Sequence, residues 1–350
     1  MHRRNLSSKG TAAMHHIKIS DYRNDPAIRR LLVLAAEPAN EQALEALLDE
    51  CEGLEVLAIA TAAGDIAALA AYRHSGKYAV CVEYLAVETS HQGRGLGSRL
   101  LAELRDCHEK NVWATTAEDA VGFYRSLGCV VSQSSADPRW PDARRYLCTL
   151  PFYPLLTGQP DEDPEYEAVG GELMRGLIEI AEPSKQWARD FHRLHHRIAS
   201  VLGATALAIE HTGSTSVPDL PAKPIIDIVL LVPDADQEAS YVPALESSGM
   251  LLWHREPGWY GHRMLKPAAG SRLPEANIHV FSAGSPEYLR LVLFREHLKH
   301  HEADRLAYAA VKREAARALA ASDGENGLVM DYNRIKEPFI LDVHQRIFTA

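Results

Sequence analysis

Two short stretches of this chain carry residue types suited to binding anions. The first is Gln92-Gly93-Arg94-Gly95-Leu96-Gly97, set between an apolar run, Tyr84-Leu85-Ala86-Val87, and a segment of helical periodicity. With no Cβ atoms in the way, successive N–H groups there can turn toward one anion at a helix N-terminus, where unpaired amides and the helix dipole both favour negative charge. The second is His211-Thr212-Gly213-Ser214, followed by Lys223-Pro224-Ile225-Ile226-Asp227. Gly213 and Ser214 can meet phosphate oxygens, Lys223 can pair with them, and Asp227 offers a carboxylate to a metal.

What the first loop lacks narrows its ligand. No Gly-Lys-Ser/Thr ending follows it, which argues against a nucleoside-triphosphate loop. Its Gly-x-Gly-x-Gly spacing misses the dinucleotide fingerprint Gly-x-Gly-x-x-Gly by one residue, and no first βα unit precedes it near the chain start.

The elements that must position this loop can be read from periodicity. Ile17–Ile19 is a short strand, Asp25-Pro26 and Asn40 open two helices, and strands are expected over 55–61, 66–73 and 78–87. After the loop come a helix carrying Leu96, Leu100, Leu101 and Leu104, a strand at Val112–Ala114, a helix from Glu118 to Leu127 ended by Gly128, and two closing strands at 129–131 and 145–148.

Gln92, Gly95 and Gly97 in this β-α-α-β-β-β-α-β-α-β-β order resemble the acyl-CoA loop of the GNAT N-acetyltransferase superfamily. Ala120-Val121-Gly122-Phe123-Tyr124, running to Gly128, resembles the family's second CoA motif; Ala117 and Cys129 stand where the family often has Asn and Phe. The resemblance spans about residues 17–150. It implies that Gln92, Gly93, Arg94, Gly95, Leu96 and Gly97 hold the pyrophosphate of acetyl-CoA, the acyl donor. Leu85, Ala86 and Val87 would pair with the pantetheine as an added strand. Tyr124 would give its phenol proton to the departing thiolate, and Glu83, on the same strand face as Leu85, would take the proton of the amine. The alternatives at these two positions are a core tyrosine and an exposed or salt-bridged strand carboxylate.

Residues 151–176 are rich in proline and acid, without Lys or Arg up to Met174, and read as a solvated linker. Beyond it, a helix with Trp187, Phe191, Leu194, Ile198 and Leu202 leads to the His211–Pro218 and Lys223–Ile228 stretches. These resemble the signature of the GrpB family, with Asp219 in place of its usual Gly, across about residues 177–348. That resemblance implies a nucleotidyltransferase-like α/β fold in which a Gly-Ser pair opens a helix. His211, Gly213, Ser214, Lys223 and Asp227 become candidate substrate or anion contacts. Nucleotidyl transfer itself is disfavoured, because Val229 occupies the next same-face position where a second acid would stand; His211, His262 and His279 suit Mg²⁺ poorly and read as structural. No metal is expected.

The expected architecture is therefore α/β of the α+β kind. A loose segment 1–16 precedes a GNAT mixed-sheet domain over 17–150, the linker 151–176, and a nucleotidyltransferase-like domain over 177–350. A net charge of −10 argues against a general polyanion binder, so nucleic acid is not an expected partner. Five dispersed cysteines without Cys-x-x-Cys spacing read as reduced core thiols, and no apolar run approaches membrane-spanning length; both fit a cytoplasmic protein. The expected activity is transfer of an acetyl group to the amine of a small molecule: an amino sugar, an antibiotic or another metabolite. The rival readings are nucleotidyl transfer in the second half and a non-catalytic, CoA-responsive binding protein. Oligomeric state is not legible.

Overall fold

The computed structural model of the chain describes residues 14–21, 23–135, 143–158, 166–171, 174–322 and 327–349. It divides into two compact units, 1–114 and 115–350.

In the first unit β1 (Met14–Lys18), β2 (Glu55–Ala60), β3 (Ile66–Ser75) and β4 (Ala79–Val87) pair antiparallel in chain order. Helices α1 (Pro26–Ala36) and α2 (Glu41–Glu50) start where the sequence places them. The Asp25 carboxylate accepts from the Ala27 and Ile28 amides, and the Asn40 side chain from that of Ala43. Their apolar faces, including Ile28, Leu32 and Leu47, pack with Val56, Ala58, Leu69 and Ala71. Helix α3 (Leu96–His108) buries Leu100, Leu101 and Leu104 and contacts β2, β3 and β4. Strand β4 runs parallel to β5 (Asn111–Ala117), but their register covers only Ala79–Cys81 against Asn111–Trp113.

The second unit holds α4 (Val121–Ser126), entered through a 3-10 turn at Glu118–Ala120, and the antiparallel pair β6 (Val130–Gln133) and β7 (Arg145–Leu150). A six-stranded sheet follows, in the order β8 (Glu167–Ala168), β11 (Met250–Glu256), β12 (His262–Pro267), β13 (Ala276–Ser282), β10 (Ile226–Val232), β9 (Ala208–Thr212). Only β10 and β13 among these pair parallel. Helices α6 (Lys185–Leu202) and α7 (Val242–Ser247) share one core with its strands. The long helices α8 (Pro286–His300), α9 (Glu302–Ser322) and α10 (Val329–Thr349) pack on one another.

Several expectations change. The segment after Pro151 is not all solvated linker: α5 (Tyr153–Thr157) buries Leu156, and the Gly158 carbonyl accepts from Arg290. Phe152, Leu155 and Leu156 supply apolar surface that a count of acids and prolines overlooks. The acidic run 159–165 lies outside the described residues. Residues 115–150 belong to the second compact unit; there the Ser132 and Tyr288 hydroxyls meet at 2.6 Å, tying β6 to α8. Gly213-Ser214 opens only a 3-10 turn, Ser214–Ser216, rather than a helix. Cys107 is exposed on the wet face of α3, where its thiol meets Glu103, so it is not a core thiol. Of the amino-terminal segment 1–16, residues 1–13 lie outside the described residues and Met14 onward is strand. Among the described residues, no helix is long and apolar enough to cross a membrane.

Candidate functional site

The glycine loop of the first unit connects β4 to α3. Gly95 is the residue before the helix and has φ 75°, a left-handed conformation that costs a β-branched residue dearly. The first backbone bond of α3 runs from the Arg99 N–H to the Gly95 carbonyl, so the amides of Leu96, Gly97 and Ser98 come before it. A Cβ placed on Gly95 would meet no atom within 4 Å, so only the left-handed φ, not crowding within the chain, calls for glycine there. Gln92, Gly93 and Arg94 are exposed, and the Gln92 amide donates to the Val87 carbonyl at 3.2 Å, fixing the loop against the strand end.

Because the β4–β5 register stops at Cys81–Trp113, Leu85, Ala86 and Val87 pair with β3 on one side and have no β5 partner in that register on the other. Alternation persists here: Val82, Tyr84 and Ala86 are buried, while Glu83, Leu85 and Val87 are half-buried on the opposite face. Glu83 falls at a bulge, since Tyr84 and Val82 pair with the consecutive residues Ala71 and Tyr72. Its Oε1 accepts from Arg73 Nε at 2.8 Å and from the Cys81 thiol at 3.3 Å. The loop, the strand edge and Glu83 are thus brought onto one strand–loop–helix unit. Tyr124 lies in the second unit, buried on α4 with its ring edge-on to Phe123.

In the second unit four of the five expected residues, Gly213, Ser214, Lys223 and Asp227, line a cavity of about 250 Å³. Gly213 has φ 64° and ψ −173°, and a Cβ there would lie 2.2 Å from Asp227 Oδ2. Only glycine lets the loop close on this carboxylate. Asp227 Oδ1 accepts from Asn277 Nδ2 at 2.9 Å, and His279 Nε2 stands 3.9 Å away. Burial alone would raise the Asp227 carboxyl, but His279 and Asn277 outweigh it and hold it below the ordinary range. His211 is the exception. It stacks on Phe191 and meets the Thr215 hydroxyl at 3.0 Å, behind the loop, and burial lowers its pKa to about 4. Asp219, in the position where the resembled signature has Gly, takes the left-handed φ of 60°.

Two cavity residues escape the sequence reading. Lys312 and Lys336 line the same space from α9 and α10. Lys312 donates to the Pro221 carbonyl, and Lys336 Nζ lies 4.2 Å from the Tyr332 ring centroid. Burial, reinforced by neighbouring cations, depresses Lys312 to about 7 and Lys336 to about 8. Three lysines facing one carboxylate make a poor home for cations and a good one for a multiply charged anion. The available signal was positional: Lys312 sits in the apolar row of Tyr308, Ala315 and Leu319, and Lys336 one turn after Tyr332.

These two constellations are a glycine loop at a helix start on a mixed sheet and a basic cavity in a separate α/β unit. Residues 53–129 match the model of the acetyltransferase (GNAT) domain, and residues 177–346 that of the GrpB protein. A UPF0157 protein of Halalkalibacterium halodurans is 45% identical over 162 residues, 46% of this chain and 80% of that protein. A UPF0157 protein of Streptomyces coelicolor is 36% identical over 185 residues, 53% of this chain and 91% of its own. The crystal structure of the conserved protein GrpB from Enterococcus faecalis aligns with a TM-score of 0.42 at 26% identity, covering 49% of this chain and 98% of that one. The chain carries a GNAT acetyltransferase domain and a GrpB domain. It belongs to the UPF0157 family.

Proposed function

We propose that the chain is an acetyl-CoA-dependent N-acetyltransferase acting on the amine of a small molecule, such as an amino sugar, an antibiotic or another metabolite, and that the GrpB domain binds an anionic part of a substrate or ligand. The observation that carries the reading is the Gly95 loop at the start of α3, beside a β4 edge that β5 leaves after Cys81. Amides at the helix start suit a pyrophosphate, and the strand edge suits the amides of pantetheine. In the reaction the amine nitrogen attacks the thioester carbonyl, the C–N bond forms and the C–S bond breaks. Tyr124 gives its proton to the leaving thiolate, and the Glu83 carboxylate accepts the proton lost by the amine, directly or through water.

The basic cavity supports the second half of the proposal. Its lysines match phosphate, sulfate or carboxylate groups, while its single strand carboxylate is too little to assemble a magnesium-triphosphate cage. The test is a panel of amines screened for CoA thiol release, joined to calorimetry of CoA on wild type and Gly95→Val. Release with one amine class, and loss of CoA binding in a folded Gly95→Val protein, are expected. Unchanged CoA affinity in that variant takes the loop out of the cofactor site.

A further inference from the structure

A second cavity of about 210 Å³ in the second unit is bordered by His254, Glu256, His262 and His279. The donor atoms of His254, Glu256 and His262 lie within 4.8 Å of one another. Glu256 Oε2 is 3.1 Å from His254 Nε2 and 2.7 Å from His262 Nδ1, so all three converge on one point between β11 and β12. We infer that His254 Nε2, Glu256 Oε2 and His262 Nδ1 hold one divalent transition ion of the zinc class.

Two imidazoles and one carboxylate are the donor set of three-ligand zinc sites, and they suit magnesium and calcium poorly. Three protein ligands leave a coordination position unfilled, and the cavity bordering all three side chains gives water or a ligand oxygen access to it. The surroundings are built for ligation as well. His262 Nε2 lies 2.9 Å from His279 Nδ1, and His279 Nε2 faces Asp227 Oδ1 at 3.9 Å. A ligating histidine ordinarily donates its second N–H to such a partner, fixing tautomer and ring orientation.

With an ion at Nδ1, His262 gives its Nδ1 lone pair to the ion and can donate its Nε2–H to His279 Nδ1, 2.9 Å away. The hairpin also holds the ligands in place: Met264 pairs with both His254 and His279, and Glu256 pairs with His262 across the β11–β12 register.

The test uses the full chain, stripped with a chelator and titrated with Co²⁺ by visible absorption and with Zn²⁺ by calorimetry. One ion per chain is expected, with the ligand-field bands of a four- or five-coordinate cobalt site. Glu256→Gln and His254→Ala should each weaken binding by more than about 10-fold, and His279→Gln by ~10–100-fold through the lost outer partner. X-ray absorption on zinc-loaded wild type reads the ligands without any variant, and should give two imidazoles and oxygen at about 2.0–2.2 Å. Absence of saturable one-to-one uptake by wild type, a shell of oxygen alone or containing sulfur, or unchanged affinity in both ligand variants overturns the inference. The last outcome would place the ion on surface histidines.

Discussion

Replacing Gly213 with alanine should be one of the most costly single-methyl additions in the second unit. The residue's φ of 64° and ψ of −173° fall in a region that is essentially glycine-only, and forcing another residue there costs roughly 1–3 kcal/mol. The new Cβ would also sit 2.2 Å from Asp227 Oδ2 and 2.9 Å from the Asp227 Cβ. That overlap must turn the carboxylate away from Asn277 and forfeit a charge-assisted hydrogen bond, about 1.5–3 kcal/mol more. The sum, roughly 2.5–6 kcal/mol, corresponds to a fall in melting temperature of roughly 5–24 °C for a unit of this size. Tryptophan fluorescence can follow the transition, because Trp187, Trp253 and Trp259 all lie in this unit. Gly203→Ala separates the two contributions, since Gly203 has φ 51° but no atom within 4 Å of its would-be Cβ. Equal losses in the two variants would remove the collision with Asp227 from the account, and a Gly213→Ala protein as stable as wild type would refute both parts.

Tyr124→Phe should lower kcat by roughly 10²–10⁴ while leaving CoA affinity nearly intact, if its phenol serves the thiolate; lost thermal stability with normal turnover per folded molecule would assign it to the core instead. Sulfate, an anion that keeps its charge across the window, should bind the cavity more weakly as pH rises through the pKa values of Lys312, about 7, and Lys336, about 8. The expected loss is at least ~10-fold between about pH 6 and about pH 9, and Lys336→Met should flatten the upper part of the curve. A pH-independent affinity would take both lysines out of the site. Without an anion the sign reverses: both folded values lie below the ordinary 10.5, so the unfolded chain binds more protons and stability rises with pH from about 7 to 10.5.

The glycine loop, its strand and its helix were legible because every signal was local: an apolar run, a glycine spacing and a leucine face within some 20 residues. Helix starts were legible for the same reason, through Asp25-Pro26 and Asn40. The cavity was half legible. Gly213, Ser214, Lys223 and Asp227 are close in sequence, whereas Lys312 and Lys336 arrive from helices about 100 residues on, as lone charges in apolar rows. The β11–β12 hairpin was missed because polar side chains occupy its buried positions. Met250, Leu252 and His254 alternate inward, but the third is a histidine, and Arg263 on the partner strand is buried with Asp236 and Glu238 as its ion-pair partners. A reading that equates inward with apolar passes over such strands, and with them the His254–Glu256–His262 cluster.

His279 and Asn277 border both cavities of the second unit, a party wall shared by two tenants. His279 bonds His262 through one ring nitrogen and faces Asp227 with the other. Its two nitrogens cannot be set independently, because fixing the proton on one fixes the lone pair on the other. An occupant that drew the His279 Nε2–H onto Asp227 would leave a lone pair at Nδ1 toward His262 on the far side. By linkage such an effect would run both ways and by the same factor: whatever one occupant did to the affinity of its neighbour, the neighbour would do in return. The wall would then make the two cavities one thermodynamic instrument, in which titrating either reads the state of the other.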